Sequence, residues 1–194
     1  MISHKHKFIF THIPKTGGSS VHSSLNDYFE PNQWMHNDLQ KDLKKCSSDY
    51  FKFAFVRNPW DLTVSSYHYF CYSDVTKWRR KKIPKNFIFK DWLRWKQKNR
   101  SRGWKKNRCY GKDELCYVSN IRGELLADFI GRFENLQKDF NTICDKIGIP
   151  HQELPHKNKS KHKHYTEYYD DETKQIVAER YANDIEYFGY EFGE

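Results

Sequence analysis

The residues most able to do chemistry stand in one run near the start of the chain, His12-Ile13-Pro14-Lys15-Thr16-Gly17-Gly18-Ser19-Ser20. A turn that feeds a helix presents unpaired backbone N–H groups and the positive end of the helix dipole, which suits a phosphate-like anion. Gly17 and Gly18 would let backbone come close to that anion, and Ser19 and Ser20 add hydroxyl donors. Lys15 adds a mobile cation that can follow charge onto a bridging oxygen as a bond breaks. The run is not a nucleoside triphosphatase loop of the Walker type, which needs a lysine directly after its last glycine; here Lys15 precedes both glycines. Taken alone, it is equally a Gly-Gly turn that follows a lysine.

A second constellation lies at Arg57-Asn58-Pro59, with Ser65 two turns into the helix that should follow. An arginine at a strand end and a hydroxyl on the next helix can converge on one phosphate, the guanidinium giving a bidentate contact. The competing reading pairs Arg57 with Asp61 at the surface and leaves Ser65 bonded back to its own helix.

Both constellations need strand-to-helix junctions, and the periodicity supplies them. Lys7 to Ile13 reads as a short buried strand, and after the glycine turn Val21, Leu25 and Tyr28 recur at helical spacing. Phe51 to Val56 reads as a strand covered on both sides, and Asn58-Pro59 as the cap and first turn of a helix toward Phe70. Leu125 to Phe133 can form a further strand; Leu136, Phe140, Ile143, Cys144 and Ile147 then mark one helix face that stops at Gly148 and Pro150. One last helix should begin near Asp170-Asp171 and carry Ile176, Val177, Tyr181, Ile185 and Phe188. Alternating strands and helices predict an α/β fold: a P-loop-like, mainly parallel central sheet flanked by helices, with ligands beyond the carboxyl ends of the strands. At 194 residues one domain, 1–194, is expected. Residues 72–120 read as an aromatic and basic insertion on the acceptor side, over the sheet edge, with an amphipathic helix around Phe89, Trp92 and Leu93.

The formal charge of +9 favours anionic partners and does not choose among them. No window approaches the length of a membrane span and the N-terminus lacks a signal-like apolar run, so the chain reads as soluble and cytoplasmic, with no membrane partner. Five cysteines without a C-x-x-C pair read as reduced thiols, and the histidines in Lys-rich stretches read as solvated, so no metal is expected.

The glycine run resembles the 5′-phosphosulfate loop of the Golgi-type carbohydrate sulfotransferases and their soluble microbial relatives. Phe53-Ala54-Phe55-Val56-Arg57-Asn58-Pro59-Trp60-Asp61, continuing to Ser65-Ser66-Tyr67, resembles the 3′-phosphate motif of the same family. Phe129 to Leu136, Asn158 to Tyr169 and Asp184 to Phe192 are similar to its C-terminal half, while Tyr72 to about Asn120 is not, and Leu62 stands where relatives often carry a basic residue. The resemblance implies 3′-phosphoadenosine 5′-phosphosulfate as donor co-substrate and sulfuryl transfer to a hydroxyl, foremost of a saccharide. It implies Pro14 to Ser20 on the 5′ side of the donor, with Lys15 catalytic, and Arg57 and Ser65 on the 3′-phosphate. Arg132, Ser160, Lys161 and Tyr165 fall near the nucleotide, and His36 falls where some relatives place a catalytic base. The alternative is a nucleic-acid-binding module using the basic and aromatic 78–106 region, which leaves both anion motifs idle.

Overall fold

The computed structural model describes residues 1–31, 38–72, 87–98, 109, 112–156 and 163–194. In chain order the elements are β1 (Ile2–Ser3), β2 (Phe8–Thr11), α1 (Gly18–Ser24), α2 (Leu39–Leu43), β3 (Phe51–Val56), α3 (Pro59–Tyr72) and α4 (Phe89–Lys98). They continue with α5 (Leu115–Val118), β4 (Phe129–Arg132), α6 (Leu136–Ile147), α7 (Asp171–Arg180) and α8 (Ala182–Phe188). The chain divides into two compact units, one made of 1–57 and 104–158, the other of 58–103 and 159–194.

The first unit holds the sheet, ordered β1-β2-β3-β4. β2, β3 and β4 run parallel, with Phe10 opposite Phe53 and Phe53 opposite Phe129, and β1 adds an antiparallel edge. Phe8, Phe10, Phe53 and Phe55 alternate onto one face and are buried there with Val21 and Leu25 of the α1 region and Phe140, Ile143 and Cys144 of α6. The α6 stripe lies as the spacing predicts, and the helix ends where Gly148 takes the left-handed conformation at φ 69°. Gly131 is the close approach within this core: a Cβ there would lie 2.5 Å from the Phe55 ring and 3.2 Å from the Asp139 Cβ.

The second unit is built on aromatic rings. Trp60, Tyr67, Phe89, Trp92, Tyr165 and Tyr181 are buried together with Leu62, Val64, Leu93 and Val177. Asn58 caps α3, its Oδ1 accepting the Trp60 N–H at 3.1 Å. Asp170 caps α7 through a reciprocal pair with Thr173. Where the sequence suggests one final helix there are two, because Tyr181 leaves helical geometry at φ −113° and ψ 26° and turns the chain into α8. The helix expected around Phe89 is present, and its apolar face is a structural part of this unit: Trp92 is 2% exposed.

The cysteine reading is corrected. Cys109 and Cys116 form a disulfide, with Cα atoms 5.5 Å apart, while Cys46, Cys71 and Cys144 stand outside it as thiols. Neither the odd number of cysteines nor the lack of a C-x-x-C pair excludes this bond, because pairing depends on how closely two backbones approach. Among the described residues no helix is long and apolar enough to cross a membrane.

Valine at Gly131 must displace the Phe55 ring from a packed interior, so Gly131→Val is expected to lower stability by about 1–3 kcal/mol in urea titration.

Candidate functional site

Three parallel strands in register deliver three loops to the same end of the first unit. After β2 comes the glycine run. Thr16 Oγ1 donates to the Ile13 carbonyl at 3.0 Å and closes the turn. Gly17 takes φ 80°, and the Ser20 N–H bonds its carbonyl at 2.9 Å, which starts α1. The absent side chains of the two glycines are used inward. A Cβ on Gly17 would lie 2.7 Å from Leu136 Cδ2, and a Cβ on Gly18 would overlap the His12 ring. His12 is buried and stacks on Phe10 at 5.9 Å between centroids, so it shapes the loop by contact. Pro14 and Ser19 are half-buried and Ser20 is buried.

Lys15 is the unusual member of the run. Its φ of 75° places a residue with a side chain in the left-handed region, a geometry that costs on the order of 1 kcal/mol or more unless its surroundings hold it. The hold comes from Arg57, the first residue after β3, whose Nη1 donates to the Lys15 carbonyl at 3.0 Å. The Arg57 guanidinium also lies 3.8 Å from the ring centroid of Phe133, the first residue after β4. Its backbone N–H donates to Glu114 Oε2 at 3.1 Å. Burial, and then the Arg57 charge, push the Lys15 ammonium down to about 8. Two cations are therefore concentrated at the carboxyl ends of neighbouring strands, next to a loop whose backbone enters a helix. That arrangement can bind and polarise a polyanion.

The remaining sequence candidates are placed differently. Ser65 is buried in α3, in the second unit. Arg132 ends β4 with its backbone N–H donating to Asp139 Oδ2 at 2.6 Å, and Glu134-Asn135 lead into α6. Tyr165, in the second unit, is 4% exposed; its hydroxyl donates to the Glu194 carbonyl at 3.1 Å and accepts the Gly193 N–H at 2.7 Å, so here it anchors the C-terminal stretch. His36, Ser160 and Lys161 lie outside the described residues. Glu114 and Phe133 were not singled out from sequence. The pair Asp113-Glu114 between two cysteines is the signal that points to this segment, without choosing between the two carboxylates; nothing in the sequence marks Phe133 as a stacking partner.

Residues 1–191 match the model of the sulfotransferase family, a span that takes in the glycine run, Arg57, the whole first unit and all but the last three residues of the second. The chain belongs to the sulfotransferase family. It is also 31% identical over 113 residues to an uncharacterized protein of Archaeoglobus fulgidus, the alignment covering 56% of this chain and 77% of that protein. No solved structure matches it. This sulfotransferase is thus a transferase of sulfuryl groups, and the match runs through the 72–120 stretch that lacks motif resemblance.

The Gly18 and His12 contact can be tested directly. Gly18→Ala is expected to destabilise by about 1–3 kcal/mol, and His12→Ala in the same chain should recover part of that loss, a coupling read from a double-mutant cycle in urea.

Proposed function

We propose that this sulfotransferase takes its sulfuryl group from 3′-phosphoadenosine 5′-phosphosulfate and delivers it to a hydroxyl acceptor, foremost of a carbohydrate, by in-line displacement. The observation that carries this reading is the Arg57 to Lys15 brace: cations from two loops, joined by a 3.0 Å hydrogen bond. A donor with phosphates at both ends of its nucleoside asks for two anion subsites, and these loops offer one each. The 12–20 loop takes the 5′ phosphosulfate and Arg57 the 3′-phosphate.

In this mechanism the acceptor oxygen forms a bond to sulfur as the bond between sulfur and the bridging phosphate oxygen breaks. Positioning and charge stabilisation carry such a transfer, without a covalent enzyme intermediate. Lys15 meets the negative charge that grows on the bridging oxygen. Its lowered pKa, from burial and from Arg57, keeps the ammonium poised to give or hold a proton there. The acceptor proton goes to a base, for which His36 remains the candidate by its sequence position between the glycine run and β3. Trp92 gives its ring to the core of its own unit and is not a platform for a sugar.

A thermal-shift and transfer assay with 3′-phosphoadenosine 5′-phosphosulfate against a panel of glycans and simple alcohols tests the reading. Stabilisation and transfer are expected, and the absence of both rejects the donor assignment. Lys15→Ala should cut kcat by about a hundredfold or more while leaving the fold intact by circular dichroism. Arg57→Ala should weaken binding of 3′-phosphoadenosine 5′-phosphate by about tenfold or more in calorimetry, since a charge-assisted contact is lost.

The pH dependence follows from Lys15. Its cation is present below about 8 and is lost as pH rises through that value, so kcat/KM for the donor should fall on the alkaline side with a limb near pH 8. Lys15→Arg, which stays charged, should move that limb upward.

A further inference from the structure

Arg57 has a third contact that the transfer reaction does not use. Its backbone N–H donates to Glu114 Oε2 at 3.1 Å, and Glu114 is only 2% exposed. A buried carboxylate on the N–H that follows Val56 fixes how the strand end leaves the sheet, and with it where the guanidinium starts. Glu114 is itself confined. It lies between Cys109 and Cys116, whose disulfide closes a ring across a sequence separation of 7. Inside that ring the Cys116 N–H donates to Asp113 Oδ1 at 3.1 Å, and just beyond it the Tyr117 N–H donates to the Glu114 carbonyl at 2.9 Å as α5 begins. The backbone on both sides of Glu114 is thereby tied down, and the ring's covalent closure restricts how far its carboxylate can withdraw.

We propose that Glu114 is a positioning residue for Arg57 and that the Cys109–Cys116 disulfide holds it in place, so that affinity for the donor nucleotide depends on the redox state of that pair. The inference rests on the reading of Arg57 as a phosphate ligand. The chemistry is a two-electron exchange: a dithiol reductant gives two electrons and two protons to the Cys109–Cys116 bond, leaving two thiols, and is itself closed to a disulfide. The freed segment gains conformational freedom. Glu114 then leaves the Arg57 N–H for water, and the strand end, the guanidinium and the Lys15 carbonyl lose their common register.

The experiment measures binding of 3′-phosphoadenosine 5′-phosphate by calorimetry to the oxidised protein, to the protein reduced with dithiothreitol, and to Cys109→Ser/Cys116→Ser. Reduction and the double substitution are each expected to raise Kd by about tenfold, and the double variant should no longer respond to reductant. Glu114→Ala should raise Kd to a similar degree. Glu114→Gln, which keeps an oxygen that can accept the Arg57 N–H, should recover much of the affinity. In transfer assays the donor KM should rise with the acceptor KM unchanged, a split that general loosening of the fold does not produce. If the oxidised wild-type protein binds no nucleotide, the donor reading itself fails. If it binds, and neither reduction nor Glu114→Ala shifts Kd, the positioning role is overturned while the donor reading stands. Should Glu114→Ala fail to fold, the reduced protein and Glu114→Gln decide the matter: unchanged Kd on reduction rejects the proposal.

Discussion

A single guanidinium organises the carboxyl end of the sheet. Arg57 donates to the Lys15 carbonyl from one side, lies over the Phe133 ring and is fixed at its own N–H by Glu114. These contacts join the loops that follow β2, β3 and β4. The hydrogen bond to Lys15 matters most, because Lys15 occupies a backbone region where a side chain is strained. An arginine suits this post for reasons a lysine cannot match: its flat fork can donate in plane while its face rests on an aromatic ring. The cost is electrostatic: burial is the larger cause that lowers the Lys15 ammonium, and the second positive charge that shapes the loop moves it further toward neutrality.

The two units solve their burial problem differently. The sheet unit uses phenylalanines alternating along β2 and β3 against an amphipathic helix, an arrangement in which period-two strands meet a period-3.6 face. The second unit has no strand among its described residues; its interior sets Trp, Tyr and Phe rings, several meeting edge to face, beside Leu62, Val64, Leu93 and Val177. At the edge of that interior the exposed Lys174 lies over the half-buried Phe192 ring at 4.4 Å, and Trp60 donates its indole N–H to the Lys174 carbonyl at 3.1 Å. The low apolar fraction of the sequence is therefore compatible with two buried cores, because each ring removes a large area from water.

Much of the frame could be read in the residues themselves. β3 and α6 carry complete periods and explicit ends, the strand closing at Arg57 and the helix at Gly148, so their positions followed from local chemistry. The family, too, was legible from the glycine run and the Arg57 motif. What escaped depends on neighbours distant in sequence. A two-residue strand such as β1 has no period to detect and exists because Ile2 and Ser3 find Ile9 and Phe8. The break at Tyr181 carries neither glycine nor proline. The Cys109–Cys116 bond and the hold of Glu114 on Arg57 appear only when separate segments meet, as does the stacking of Arg57 on Phe133.

The inward use of the glycines changes what the loop motif is. Gly17 is closed off by Leu136 and Gly18 by the His12 ring, while Lys15 is held from Arg57. The nine residues from His12 to Ser20 are thus one half of an interlocking part whose other half is contributed by the residues that follow β3 and β4 and by the first turn of α6. Grafting the loop alone onto another scaffold would transplant its letters without its conformation; the smallest portable version has to bring Arg57, Phe133 and Leu136 with it.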